Sequence, residues 1–360
     1  MSLKVGIVGL PNVGKSTLFS ALTRNKVDIN NYPFCTIKPN VGIATVADER
    51  LDMLHQLYPE SKKIPAIVEY VDIAGLVKNA HKGEGLGNQF LSNIRNVDAI
   101  IEVVRAFSGD DIQHVEGGVD PRRDIETIKS ELILSDLEQI DRRKTRLAKM
   151  RRTQGKEKEA ADAEWEILEI LENNLDQEKW LYPLPEIPEK LVLFAKELIK
   201  NFSLLSAKPI LYAINTRDSG EKVVPETWGL KKNECVVVDA KLERELNDIS
   251  EQEKKELDLE SQLNNIVRHS YSLLHLLTFY TSGDKETRAW EVRSGAEAPE
   301  AAGVIHSDFK RLFISASVIN WQKLLAAGSW KNARDLGEIR REGKEYLIQE
   351  GDVVEFMIGT

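Results

Sequence analysis

The sequence predicts an α/β protein with a mostly parallel sheet, an inserted helical segment and a small β-rich domain near its C-terminus. Short apolar runs alternate with helical stretches, which is typical of parallel strands covered on both faces. A long stretch with little glycine and helical spacing of its apolar residues predicts the insertion. Alternating residues around glycine-acid turns predict the β-rich end.

Five apolar runs are predicted to form the parallel sheet. They are residues 5–8, 67–73, 99–104, 209–214 and 235–238. Helical stretches between them are typical of βαβ units, in which each strand is followed by a crossover helix. We therefore expect the core domain to consist of residues 1–123 and 203–277.

The inserted segment, residues 124–202, is predicted to contain two amphipathic helices on either side of Gly155. One apolar stripe comprises Ile133, Leu137, Ile140 and Leu147, with Lys144 in the same seam, and the other Trp165, Leu168, Leu171 and Leu175.

The charges of this insertion are segregated along the chain. Residues 142–158 are strongly basic, and residues 159–172 are acidic. Opposite charges favour a helical hairpin whose two arms attract each other. A basic tip could also reach the phosphates of a large RNA, and the two interpretations are compatible. The cations are Arg142, Arg143, Lys144, Arg146, Lys149, Arg151, Arg152, Lys156 and Lys158.

The β-rich end, residues 278–360, includes "LLTFYTSGDKETRAWEV" and "GKEYLIQEGDVVEFMIG". Both have the order strand, glycine-acid turn, strand, which predicts hairpins. We expect Trp290, Phe309 and Phe356 to be core residues of this domain, since no aromatic cluster for base stacking is evident.

The net charge and the composition of the chain limit the kinds of partner that it can bind. A net charge of −9 leaves no overall basic field to attract nucleic acid or anionic lipid, so any RNA contact must be local. The two cysteines, Cys35 and Cys235, form no metal or disulfide pattern. No run approaches membrane-spanning length. We expect a cytoplasmic protein of two or three domains that acts as a monomer without DNA or membrane partners.

A phosphate-binding loop is the strongest chemical signal. Residues 9–17, "GLPNVGKST", match G-x-x-x-x-G-K-[ST] and lie between a predicted strand and a predicted helix. Backbone N–H groups of such a loop converge on phosphate oxygens, and the helix N-terminus favours the negative charge. Lys15 is expected to reach the β- and γ-phosphates, and the Ser16 hydroxyl to bind Mg²⁺.

Two further elements fit a nucleotide switch. Asp72 follows an apolar strand and begins D-x-x-G, so its carboxylate can hold Mg²⁺ through water while the Gly75 amide senses the γ-phosphate. Thr36 lies between the two motifs and could close over the metal. Leu76 stands where some switches have the glutamine that orients water, which predicts slow hydrolysis or another catalytic group. His81 and His114 are the nearby imidazoles.

The segments "GLPNVGKST", "NYPFCTIKPNVG", "DIAGLVKNAHKGEGLGNQFL" and "LLTFYTSGDKETRAW", with "AAGVIHSDF" and "GDVVEFMIG", resemble the YchF subfamily of Obg-like P-loop NTPases. The resemblance extends from the first strand to the last ten residues. It implies a P-loop domain interrupted by a coiled-coil arm and followed by a TGS domain of β-grasp form. It also implies ATP hydrolysis and association with ribosomes.

The resemblance assigns roles to individual residues. Residues 12–17, comprising Asn12, Val13, Gly14, Lys15, Ser16 and Thr17, would surround the phosphates. Ser16 and Thr36 would bind Mg²⁺, and Leu76 matches a hydrophobic replacement of the catalytic glutamine. His114, in "DIQHV", matches a histidine thought to take part in hydrolysis.

The base-recognition segment is Asn215-Thr216-Arg217-Asp218, where a guanine pocket would have N-K-x-D. A carboxylate at Asp218 can accept from guanine N1–H and the 2-amino group, whereas adenine offers no donor there. Thr216, however, replaces the lysine that would cover the base. These residues leave ATP and GTP open, and the resemblance favours ATP because family members usually have N-x-x-E and prefer adenine.

The leading functional hypothesis is a slow NTP hydrolase that acts as a molecular switch on the ribosome, with rRNA contacts through the basic arm and the TGS domain. The alternatives are a scaffold that nucleotide merely orders, a GTP-specific translation GTPase and a P-loop kinase. A kinase would need an acceptor pocket rather than a base-reading segment, which makes it the weakest of the four.

Overall fold

The computed structural model describes residues 3–24, 32, 40–75, 86–107, 118–217, 223–257, 259 and 261–359. Two six-stranded sheets organise these residues. The thirteen helices are α1 (Lys15–Thr23), α2 (Glu49–His55), α3 (Leu86–Arg95), α4 (Pro121–Met150), α5 (Lys156–Asp176), α6 (Val192–Phe202), α7 (Ala240–Leu246), α8 (Glu251–Glu256), α9 (Leu263–Leu273), α10 (Ala298–Ile305), α11 (Ser307–Arg311), α12 (Trp321–Ala327) and α13 (Trp330–Asp335), counted over the described residues.

The first sheet is the predicted parallel sheet, with the strand order β2-β4-β1-β5-β6-β7. All five predicted strands are present, and they pair in parallel. The sequence patterns missed β2, which is antiparallel to β4 at the edge of the sheet. The strands are β1 (Lys4–Val8), β2 (Val41–Thr45), β4 (Ile67–Asp72), β5 (Ala99–Arg105), β6 (Ile210–Asn215) and β7 (Cys235–Val238).

This topology determines where a ligand can bind. β1 is the central strand between β4 and β5, and these three strands run in the same direction. In such sheets ligands bind outside the carboxyl ends of the strands. The phosphate loop follows β1, D-x-x-G begins at the end of β4, and the base-recognition segment follows β6, so all three meet at one edge of the sheet.

The inserted helices α4 and α5 form the predicted hairpin. Ile140 and Leu147 of α4 are buried with Leu168 and Leu171 of α5 in a hydrophobic cluster of their own, while Leu137 and Trp165 are partly buried at its margin. Gly155, at φ 74°, precedes α5. The apolar stripes predicted from helical spacing are therefore confirmed.

Opposite charges join the two arms of this hairpin. The Arg143 guanidinium donates to both carboxylate oxygens of Glu164, at 2.6 and 2.7 Å. Lys144 Nζ lies 2.5 Å from Glu172 Oε2, and Arg151 Nε lies 2.6 Å from Asp162 Oδ1. The attraction between the arms is thus confirmed.

The second sheet has the order β11-β10-β12-β8-β9-β3. β8 and β9 form the predicted antiparallel hairpin. The hairpin predicted for residues 343–359 is wrong, because β12 is the one strand in this segment, which the structure describes throughout. Leu347 forms an isolated bridge to Glu297 instead, and β12 pairs with β10 and, in parallel, with β8. The strands are β3 (Lys62–Ile64), β8 (Leu276–Ser282), β9 (Glu286–Arg293), β10 (Phe313–Asn320), β11 (Arg340–Glu342) and β12 (Asp352–Ile358).

The two sheets are connected by more than the chain between them. β3, from the N-terminal part of the sequence, pairs with β9 and completes the second sheet. One hydrophobic cluster includes Val5 and Ile100 of the first sheet together with Tyr280 and Val353 of the second. Trp290 is buried in the second sheet's own cluster, with Phe309 and Phe356 packed against it, as predicted.

Candidate nucleotide site

The phosphate loop joins β1 to α1 in a conformation that leaves its residues in different environments. Val13 and Lys15 are buried, whereas Asn12 and Ser16 are exposed and Thr17 is half-buried. Gly14 precedes α1 with φ 102°, and Asn12 has φ 64°. Consecutive N–H groups before a helix N-terminus, with an exposed Ser16 hydroxyl beside them, suit the oxygens of a phosphate and its metal.

A glycine is required at position 14 because the Asn215 side chain lies against it. A Cβ at this position would lie 2.3 Å from Asn215 Nδ2. The Asn215 amide donates to Val13 O at 2.8 Å, and its Oδ1 accepts from Ala240 N at 3.0 Å. Asn215, predicted to read the base, therefore also connects the phosphate loop to the N-terminus of α7.

Lys15 is held inside the loop. Its Nζ donates to Leu10 O at 2.7 Å. Burial lowers the pKa of Lys15 to about 8, and the nearby Asp72 carboxylate opposes that shift. A Cβ on Gly75 would lie 3.0 Å from Lys15 Nζ, so the glycine of D-x-x-G leaves space beside the ammonium. The two motifs thus converge on one point.

Asp72 supplies the oxygen expected for a metal site. The β1–β4 pairing places Asp72 opposite Ile7, two residues before the phosphate loop begins. Its Oδ1 is buried and has no hydrogen-bond partner among the described residues. A buried carboxylate oxygen of this kind calls for a cation or water. Carboxylate and hydroxyl oxygens are the type of donor that Mg²⁺ prefers, so the chemistry of Asp72 and Ser16 fits this ion.

The end of the site near β6 contains the predicted Thr216 and two residues, Phe107 and Ala240, that the sequence analysis missed. Thr216 is buried, its N–H donates to Val238 O at 2.9 Å, and its Oγ1 has no hydrogen-bond partner among the described residues. The Arg217 guanidinium lies 5.0 Å from the centre of the Phe107 ring. Phe107 follows the end of β5, and Ala240 follows the end of β7. Their position just after a predicted strand is the sequence feature from which they could have been predicted.

Several predicted site residues lie outside the described residues. They are Thr36, His114 and Asp218, together with Leu76 and His81. The structure brings together the loop residues Asn12 to Thr17, Asp72, Gly75, Asn215 and Thr216 at the same edge of the sheet. Their roles toward a nucleotide, and those of the undescribed residues, stay predictions.

A P-loop between a central parallel strand and its helix, with Lys15, Asp72 and Asn215 around it, defines a P-loop nucleoside triphosphatase. The family model described as "50S ribosome-binding GTPase" matches residues 4–154. A second model, YchF-GTPase_C, described as "Protein of unknown function (DUF933)", matches residues 276–359.

Full-length relatives identify the family. The chain is 48% identical to "Ribosome-binding ATPase YchF" of Bacillus subtilis, with 99% of both chains covered. It is 42% identical to the protein of the same name from Escherichia coli O157:H7, with 100% of both covered. The structure of the Schizosaccharomyces pombe YchF GTPase matches with a TM-score of 0.86 and 35% identity, over 99% of this chain and 98% of that one. The chain belongs to the YchF family.

Proposed function

We propose that this protein binds ATP with Mg²⁺, hydrolyses it slowly and uses its bound state as a switch on the ribosome. The observation that carries the proposal is the convergence of Lys15, Gly75 and Asp72 at the phosphate loop. The bacterial relatives are named ribosome-binding ATPases, which supports both the nucleotide and the partner.

The site residues divide into three proposed groups. Asn12 to Thr17 hold the phosphates, and Ser16, Thr36 and Asp72 hold Mg²⁺. When bound, Mg²⁺ would neutralise charge on the β- and γ-phosphates. Lys15, the Gly75 amide and His114 are proposed to act in hydrolysis. Because Leu76 cannot orient water, we expect a low intrinsic rate.

Base selectivity is proposed to favour ATP, with GTP tolerated. Asn215 and Thr216 form the described part of the pocket, and Asp218 is its proposed third member. The Asn215 amide donates one hydrogen to Val13 O, and we propose that its second N–H hydrogen donates to a purine acceptor. The relatives' names differ, ATPase in the bacteria and GTPase in the yeast structure, so selectivity requires a direct measurement.

Partners and organisation follow from the same proposal. We propose three units, 1–123 with 203–277, 124–202, and 278–360 as the TGS domain. The basic arm and the TGS domain would contact rRNA in the cytoplasm, with the protein acting as a monomer. No helix within the described residues is long and apolar enough to cross a bilayer.

Calorimetric titration with non-hydrolysable ATP and GTP at millimolar Mg²⁺ tests the nucleotide proposal. We expect ATP to bind at least as tightly as GTP. GTP binding more than tenfold tighter, which corresponds to about 1.4 kcal/mol, would overturn the preference for ATP. Binding of neither would overturn the proposed function itself. The variant Lys15→Ala is the control that should abolish the signal.

A further inference from the structure

The tip of the α4–α5 hairpin presents a group of cations that the hairpin itself does not use. Within the described residues, Arg143, Lys144 and Arg151 are paired with acids of α5, and Arg142 is paired with Glu138 one turn earlier. The remaining cations are exposed and have no ion pair in that part of the chain. These tip cations are Arg146, Lys149, Arg152, Lys156 and Lys158.

The position of two of them works against the stability of the hairpin. Lys156 and Lys158 lie in the first turn of α5, where the helix dipole disfavours positive charge. Gly155 provides no side-chain cap there. Glu157 and Glu159 offset part of this cost, because acids in the first turn interact favourably with the dipole. Neither side-chain packing nor ion pairing within the hairpin therefore explains why these two positions are lysines.

The arm also separates the tip cations from the negative charge of the rest of the protein. α4 is anchored at Asp136, which accepts hydrogen bonds from Leu205 N at 3.0 Å and Ser206 N at 2.8 Å. Lys149 is 13 residues further along the same helix. At about 1.5 Å per residue, this places it about 20 Å beyond the anchor. That distance exceeds two Debye lengths of about 8 Å at physiological salt.

We infer that the five tip cations form a phosphate-backbone contact for ribosomal RNA, and that the paired cations Arg143, Lys144 and Arg151 are excluded from it. This inference rests on the proposed ribosome binding and specifies the surface. A protein with a net charge of −9 can approach a polyanion only through a surface that is locally rich in cations and lies more than a Debye length from the acids of the rest of the molecule. The tip satisfies both conditions, and RNA phosphates supply the complementary charge.

Co-sedimentation with purified 70S ribosomes across a salt series tests the inference. The tip variant combines Arg146→Gln, Lys149→Gln and Arg152→Gln, substitutions that keep good helix formers. The matched control combines Lys190→Gln, Lys196→Gln and Lys200→Gln, which removes three exposed cations on or beside α6 and gives the same net charge. Circular dichroism and ATP titration verify that both variants are folded.

We expect the tip variant to bind about tenfold or more weakly at low salt, and its plot of log K against log salt to be shallower by about two to three units. The control should keep the slope of the unaltered protein. A charge-conserving variant, Arg146→Lys with Lys149→Arg and Arg152→Lys, should keep it as well. An unchanged slope in the tip variant would overturn this inference alone. Failure of the unaltered protein to bind ribosomes in any nucleotide state would overturn the proposed function with it.

Discussion

At the scale of single residues, glycines at the nucleotide site are required by close approach. Gly14 combines a left-handed φ of 102° with a neighbour, Asn215 Nδ2, that a Cβ would meet at 2.3 Å. Both constraints act together, because a side chain would be strained there even if Asn215 moved. The same side chain of Asn215 connects the loop to α7, so displacing it disturbs the loop and the base pocket at once.

We therefore expect Gly14→Ala to weaken ATP binding by at least about tenfold while the protein stays folded. Isothermal calorimetry measures the affinity, and far-ultraviolet circular dichroism verifies the fold. Gly343→Ala is the matched control, because a Cβ at Gly343 meets no atom within 4 Å. Equal affinities of the two variants would show that the close approach of Asn215 does not matter for binding.

A buried carboxyl group on the central sheet gives a pH dependence with a defined sign. Glu102 of β5 is buried, and burial, with a smaller contribution from Asp124, raises its pKa well above the ordinary value. Folding therefore takes up a proton at Glu102 at any pH between the unfolded and the folded pKa. Its contribution to stability is present at low pH and falls as the pH rises, by up to about 1.4 kcal/mol per pH unit.

Glu102→Gln removes this titration, because an amide stays neutral. We expect the variant to gain stability relative to the unaltered protein as the pH is raised from 5 to 8. Urea unfolding of the variant and of the unaltered protein at pH 5, 6.5 and 8 gives the free energy of unfolding of each. If their difference were constant over this range, the buried Glu102 would not be the group that responds to pH.

At the scale of elements, the α4–α5 hairpin shows that neighbouring charges of one type can have different roles. Arg143 is 31% exposed and bonds to Glu164, whose side chain is only 8% exposed. Arg142, the preceding residue, is 74% exposed and pairs with Glu138 on its own helix. Leaving a buried carboxylate without its cation lowers the stability of a fold strongly, whereas exposed ion pairs contribute little to it.

Arg143→Ala should therefore lower the free energy of unfolding by about 2 to 4 kcal/mol, because it leaves the Glu164 carboxylate buried and unpaired. Arg142→Ala is the matched control and should change the free energy of unfolding by less than about 1 kcal/mol. Urea denaturation of the full-length protein measures both, and hydrogen exchange in α5 localises the effect. Equal effects of the two substitutions would contradict the distinction.

At the scale of the whole molecule, the two sheets share structure that their sequence order does not suggest. β3 joins the second sheet, and the Tyr280 hydroxyl donates to Asp48 Oδ2 at 2.6 Å. Arg50, beside Asp48, pairs with Glu350 at 2.5 Å. The mixed hydrophobic cluster extends across the same boundary. Domains joined in this way are expected to unfold together.

We accordingly expect loss of nucleotide binding and exposure of Trp290 in the second sheet, with Trp321 and Trp330 in α12 and α13, at the same urea concentration. Tyr280→Phe, which removes a hydrogen bond to a charged group, should shift both midpoints downward together, by about 1.5 to 3 kcal/mol in free energy. Fluorescent-nucleotide binding and tryptophan emission follow the two events. Two separate midpoints in the unaltered protein would show that the sheets unfold independently.

The sequence by itself determined the phosphate loop, D-x-x-G, the five parallel strands and the two helices of the arm, because each depends on residues close together in the chain. Only the tertiary structure decided which cations of the arm are paired, that Asn215 connects the loop to α7, and that β3 and β12 complete the second sheet. Asn215 and Val13 are 202 residues apart, and β3 and β9 are also distant in sequence. Local periodicity carries no information about such partners, since hydrogen bonding and packing between them depend on how the whole chain is folded.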